Sequence, residues 1–328
     1  MAEPQTRIDR NLYTIAWICG DTVDFRAARG MLDQEHLRIY PGSPDSRAGD
    51  LNGYIVGEMD GRNIVLTSIH CRDPDDPMRF QELAEDLIMY FPRILVSMMV
   101  TTGSGVPGNG RDIRLGDVVV SAPVGVYGGV ANTSIMYGAE VLDVLPQHAN
   151  AISRNAQKLA QNISNSHAAG HNMIPDYIAG IFMKSPEYKF PEVEDLLFAS
   201  TYQHKGEYRS DCQQCDGGQA ISRPARRFAI PAVHYGTVAS GGQHVGHVMS
   251  REAIERYANP LAIQVGAVYM MDHVAPLVIT GVADYADSHV NDHWRKYAAA
   301  TAAACARNAV LHFDPMGCVT RAGAVRVY

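Results

Sequence analysis

The segment Pro276 to His289, PLVITGVADYADSH, closes an apolar run with two carboxylates, Asp284 and Asp287. Such a run reads as a strand buried on both faces, and in open α/β sheets ligands sit outside the carboxyl ends of the strands. Asp284 is therefore placed for proton transfer. Partial loss of water beside Tyr285 would raise its affinity for a proton and suit it to act as an acid. The alternative is that Asp284, like Asp287, only caps the turn that follows. A second acid, Asp24 in GDTVD, falls in the first turn of an expected helix. It is a candidate acid or base, or else a partner of the helix dipole.

Strands and helices must hold these acids, and the chain alternates between them. Tyr13 to Cys19 reads as a strand, and Thr22 to Asp33 as a helix capped by Asp21 or Thr22. Asn52 to Met59 and Asn63 to Ile69 alternate around Asp60-Gly61, a hairpin pattern. A helix is expected over Gln81 to Met89, then a short strand over Ile94 to Val100 running into a TTGSGVP loop, and a strand over Asp117 to Ser121. Gln147 to Ser166 has the spacing of a long amphipathic helix. The polar stretch 196–229 reads as an irregular insertion: a lid, a subunit contact or a solvated excursion. Beyond it come a strand at Ile230 to Val238, a helix at Ser250 to Tyr257, a strand at Leu277 to Val282 and an Ala-rich helix at Asn291 to Leu311. With no internal repeat, residues 1–328 read as a single α/β domain.

At 328 residues, 46% hydrophobic and 19% charged, the chain can bury a sizeable core. Its net charge of -7 and lack of Lys/Arg clusters argue against nucleic acid as a partner. The N-terminal sequence MAEPQTRIDRNLYTIAW lacks the pattern of a signal peptide, and no run of about 18 apolar residues occurs. A cytoplasmic protein without a membrane partner is expected. The six cysteines are scattered, except Cys212 and Cys215 in SDCQQCDGG. No second C-x2-C pair accompanies them, and His204 lies eight residues before Cys212. The expectation is a surface-loop pair without metal.

Four stretches resemble one family. They are YTIAWICGDTVDFRAARGMLD (Tyr13 to Asp33), GVPGNGRDIRLGDVVVSAPVGVYGGV (Gly105 to Val130), HYGTVASGGQ (His234 to Gln243, with Ser240), and GVADYADSH followed by Trp294 to Ala304. Together they resemble the fungal nucleoside phosphorylase-like domain of the purine and uridine phosphorylase superfamily. The resemblance implies a nucleoside phosphorylase-like three-layer α/β/α fold with a central mixed, partly barrel-like sheet. It also implies a symmetric homo-oligomer and no cofactor. In such proteins the Asp of G-[IV]-x-D protonates the purine, a role that would fall on Asp284. A helix-start Glu that helps activate water in nucleosidases falls on Asp24.

Elsewhere the chain departs from the family pattern. Where relatives read F-E-M-E-A-A-G, with the second Glu on the ribose hydroxyls, this chain reads IQVGAVY, Ile263 to Tyr269. Gln264 and Gly266 replace the two Glu, and Tyr269 replaces a Gly. The phosphate loop V-G-I-G-G-G-V-P becomes VTTGSGVP, so Thr101 and Ser104 stand where two glycines would be, with Thr102 beside them. A glycine-rich anion turn is replaced by the acidic IHCRDPDDPMRFQ, Ile69 to Gln81.

Three function classes follow. One is a small-molecule enzyme that keeps the pocket and abandons the chemistry, promoting an isomerisation or pericyclase-like cyclisation of a largely apolar substrate, with fungal secondary metabolism as the setting. Asp284 and Asp24 would be catalytic. Thr101, Thr102, Ser104, Ser240, Gln264, Gly266, Tyr269 and Tyr285 would shape the pocket. The others are a nucleoside phosphorylase or nucleosidase and a non-catalytic ligand-binding module.

Overall fold

A computed structural model describes residues 8–40, 53–69, 78–108, 110–133, 149–207, 209–226 and 230–318. Most of the acidic loop that replaces the anion turn, and the start of the helix expected from Gln147, lie outside these residues.

Strand β1 (Ile15–Cys19) is fully buried and feeds α1 (Thr22–Gly30). Asp21 caps that helix by accepting from the backbone N–H groups of Val23 and Asp24. Three antiparallel strands follow: β2 (Gln34–Ile39), β3 (Tyr54–Met59) and β4 (Arg62–Ser68). Asp60 and Gly61, both at positive φ, make the expected hairpin turn between β3 and β4. β2 went unrecognised in the sequence because its alternately exposed residues, QEHLRI, carry little apolar signal.

Helix α2 (Met78–Tyr90) precedes β5 (Val96–Gly105). The segment expected to be a TTGSGVP loop instead continues β5 as far as Gly105. Pairing explains this: Thr101 to Gly103 are in register with Thr280 to Val282 of β12 (Leu277–Asp284). β6 (Val118–Ser121), β7 (Gly129–Asn132) and β8 (Ala149–Ala151) come next. Helix α3 (Arg154–Ala168) starts later than expected because residues 149–151 pair with β7 and Ser153 then caps the helix. α4 (Ile174–Lys184), β9 (Val233–Gly236), β10 (Val238–Gly241), α5 (Val248–Ala258), β11 (Ala262–Val265) and α6 (Arg295–Leu311) complete the described elements.

The 12 strands form one mixed sheet in the order β2-β3-β4-β1-β5-β11-β10-β7-β8. A branch leaves β5 through β12 and β6 to β9. Since only Thr237 separates β9 from β10, branch and main path return to the same place, and the sheet is partly barrel-like. The parallel neighbours β1, β5 and β12 point their carboxyl ends the same way, β1 stopping level with Val100 and β12 running on beside β5 to Ser104. That shared edge is the ligand edge of an open α/β sheet.

Helix α6 packs on β12 and β5 and is flanked by α1, α3 and α4. Its alanines from Ala298 to Ala309 are buried all round, as befits a central helix. The contact is closest at Gly281, where an added Cβ would collide with the Ala298 carbonyl oxygen. Gly281→Ala should therefore lower stability by about 1–3 kcal/mol, the usual cost of overpacking. Urea unfolding checks this, and an unchanged midpoint would contradict such tight packing.

Candidate active site

A cleft of about 790 Å³ opens at the ends of β1, β5 and β12. Its floor is the ledge Thr101 to Ser104 at the end of β5. Asp284 stands opposite Ser104, just beyond a bulge in the β12 register between Val282 and Asp284. Bulges beside sites re-aim side chains, and this one delivers Asp284 to the cleft.

Asp284 is 8% exposed. Burial alone would raise its pKa, but His244, Ser104 and the Ala286 N–H outweigh it and hold the carboxyl below its ordinary range. His244 Nε2 lies 3.2 Å from Oδ2, and the Ala286 N–H donates to Oδ1 at 2.8 Å. The raised pKa expected from desolvation is thus corrected: Asp284 is a carboxylate facing an imidazole. Through the Ala286 N–H it also caps its turn. His244 is exposed on the cleft wall, and sequence spacing gives no sign of a partner forty residues away.

Asp24 behaves in the opposite way. It is 4% exposed, and burial first, then the charge of Asp21, push its pKa up to about 8 against the opposing effects of Thr101 and Arg295. Thr101 Oγ1 donates to Asp24 Oδ2 at 3.1 Å, while Oδ1 is buried without a hydrogen-bond partner. Gly20 allows this arrangement, since a Cβ there would strike the Thr101 hydroxyl. Asp24 therefore lies behind the cleft wall, with Thr101 between it and the cavity.

The stretch Ile263 to Tyr269 packs as a unit with Phe80. Gly266 has φ +97°, and any Cβ would enter the ring of Phe80 from α2. Phe80, which the motif comparison missed because it lies outside every matched stretch, lines the cleft. Tyr269 backs it, with ring centroids 6.0 Å apart, rather than lining the cleft itself. Gln264, 2% exposed, donates through Nε2 to Ser240 Oγ at 2.9 Å. Ser240 in turn accepts from the Val268 N–H, so it supports the wall from behind. The remaining lining includes Ile69, Val245, Ile263, Val265, Ala283 and Val290. At the rim, Arg295 pairs with Asp21, and Arg209 lies 3.6 Å from Asp292.

Tyr285 is misplaced by the sequence reading. Adjacent residues on an extended chain point to opposite sides, so Asp284 faces the cleft and Tyr285 faces away. Its hydroxyl donates to Asp195 at 2.6 Å and accepts from Arg223 at 2.9 Å. This ties the 196–229 insertion to the strand end, around a second cavity of about 270 Å³ that also touches Asp284. The same insertion folds Cys212 and Cys215 against His204, whereas the sequence reading had left the pair without a partner.

No family model matches the chain. A nucleotide-binding leucine-rich repeat (NLR)-like protein from Hyaloscypha variabilis is 26% identical over 309 residues, 90% of this chain. The chain spans 29% of that relative's length. Among solved structures, the 5'-methylthioadenosine/S-adenosylhomocysteine nucleosidase of Neisseria meningitidis superposes with TM-score 0.53 at 16% identity, over 92% of this chain and 99% of that one. Futalosine hydrolase of Helicobacter pylori gives 0.56 at 13%, with the same coverage of each. The fold is that of the nucleoside phosphorylases and nucleosidases. Among the described residues, no helix is long and apolar enough to cross a membrane.

Asp24 provides a direct test through pH. Its native pKa of about 8 stands above the ordinary 3.8, so between these values the native state holds a proton that the unfolded chain releases. Its contribution to stability is full below the lower value and is lost as pH rises toward the upper, by about 1.4 kcal/mol per pH unit within the window. Asp24→Asn cannot ionise. Its unfolding free energy relative to wild type should rise steadily from pH 5 to 8 and then level off, whereas a constant difference would show that Asp24 is ionised throughout.

Proposed function

We propose that the chain is a small-molecule enzyme that uses this cleft on a largely apolar substrate and promotes proton-coupled isomerisation or cyclisation, without cleaving a nucleoside. The observation that carries this reading is the Phe80 ring seated where a side chain at Gly266 would have to go. A carboxylate accepting sugar hydroxyls has no room there. Thr101 and Ser104 likewise fill a ledge that the resemblance would leave to anion-binding glycines.

The polar groups suit proton transfer. Environments that push the pKa values of two carboxyls apart mark an acid and a base. Asp284, with a depressed pKa and paired to His244, serves as the base. Asp24 retains its proton near neutral pH and reaches the cavity through the Thr101 hydroxyl. The unpartnered Gln264 Oε1 offers an acceptor that fixes one polar end of the ligand. Apolar walls fold the rest of it, and that positioning supplies much of the rate in a cyclisation.

A second reading, hydrolysis of an N-glycosidic bond, draws on the retention of Asp284 and Asp24 on the same fold as the nucleosidases. One experiment separates them. Adenosine, inosine, uridine and methylthioadenosine are incubated with the purified protein, with and without phosphate, and free base is followed by chromatography. The expected result is no release above the rate of an Asp284→Asn variant. Release at ordinary enzymatic rates, abolished in that variant, establishes the second reading and removes the first.

A further inference from the structure

The insertion holds a cluster outside the cleft that the proposed chemistry does not use. His204 Nδ1 lies 3.4 Å from Cys215 Sγ and 4.0 Å from Cys212 Sγ. The three donor atoms all fall within 4.8 Å of one another. Around a tetrahedral zinc ion, with bonds of about 2.3 Å to sulfur and 2.0–2.1 Å to nitrogen, neighbouring donors stand roughly 3.5–3.8 Å apart. The cluster already has nearly those dimensions.

Hydrogen bonding fixes which nitrogen of His204 faces the thiols. Ser210 Oγ donates to the Asp211 carbonyl at 3.3 Å, so toward His204 Nε2, 3.1 Å away, it acts as an acceptor. The proton of the ring therefore belongs on Nε2. Nδ1 is left with its lone pair toward the two sulfurs, the arrangement in which an outer partner orients a metal-binding imidazole. The Lys205 N–H also donates to Cys215 Sγ at 3.4 Å, a contact that favours a thiolate.

A second observation points the same way. His289, only 8% exposed, packs edge-on against the His204 ring at 5.5 Å, and its Nε2 has no hydrogen-bond partner. A buried polar ring left unsatisfied calls for an explanation, and an absent cation supplies one. The Asp287 carboxylate lies 3.4 Å from His289 Nδ1, as in a carboxylate–histidine pair that leaves Nε2 to a metal.

We propose that His204, Cys212 and Cys215 bind a thiophilic divalent cation, zinc by the softness of the donors, with His289 packed beside the cluster. The role is structural. His204 N–H donates to Ser288 Oγ at 2.9 Å, so the ion would clamp the insertion onto the Asp284–His289 turn from behind the cleft.

The test uses the full chain, purified under reductant, loaded with zinc and passed through a desalting column. Elemental analysis should find one zinc per chain. Cobalt in its place should give a thiolate-to-metal absorption band in the near ultraviolet. A Cys212→Ser/Cys215→Ser double variant and a His204→Ala variant should lose both signals. Trypsin should also cut the metal-free wild type faster after Lys205 and Arg209 than the zinc-loaded form. Absence of retained zinc in the reduced wild type, retention of it by the double variant, or a Cys212–Cys215 disulfide surviving reductant would each overturn the site.

Discussion

The contact between Gly281 and Ala298 sets the level at which everything functional sits. Without a side chain at Gly281, the backbone of α6 rests directly on β12, and the all-alanine flank of that helix keeps the approach close along its length. β12 is then held in register with β5, which places Asp284 opposite Ser104 rather than one residue to either side. A slip of one residue would turn every side chain to the opposite face and bring Tyr285 into the cleft in place of Asp284. The site inherits its precision from a buried packing contact about one turn of strand away, with no loop in between.

On that ledge, two aspartates of the same chemistry acquire opposite characters. Both are nearly fully buried, so desolvation acts on each. What differs is the hydrogen-bond supply. Asp284 has His244, Ser104 and a backbone N–H to stabilise its charge, whereas at Asp24 the Thr101 hydroxyl, Arg295 and the Thr102 backbone work against both burial and the nearby negative charge of Asp21. The first-turn position of Asp24 favours the charged form through the helix dipole, an effect of about 0.3–1 kcal/mol at exposed sites. Its N-cap donors, however, are already taken by Asp21, and burial prevails. Burial is the largest single effect on both, and the donors reverse it at Asp284 but not at Asp24.

Much of the scaffold was legible in the sequence because its signals are local. The β3–β4 turn, the Asp21 cap and the apolar β12 run each announce themselves within a few residues. β5 was cut short because Thr101 to Gly105 look like loop chemistry, and only their pairing with β12 makes them a strand. Departures from a motif drew attention to Gln264, which lines the cleft, and to Gly266, which lies against Phe80. They could not reveal what replaced the missing groups. Phe80, His244 and His204 become relevant only through distant partners: a glycine 186 residues on, an aspartate forty residues on, and two cysteines brought back by the fold of the insertion.

Packing ties Gly266, Phe80 and Tyr269 together. Gly266 is excluded from carrying a side chain twice over, once by its positive φ and once by the Phe80 ring. Phe80 is itself held from behind by Tyr269, which stands where the family pattern has a small residue. Restoring a carboxylate at 266 alone would therefore strain the backbone and collide with an aromatic ring. Shrinking Phe80 alone would leave a cavity against Tyr269. Each change is tolerable only in the presence of the others, so the three residues act as one packing unit. A side chain at 266 is thus excluded by packing as well as by backbone, and the Asp284–His244 pair faces a cleft whose wall on this side is aromatic.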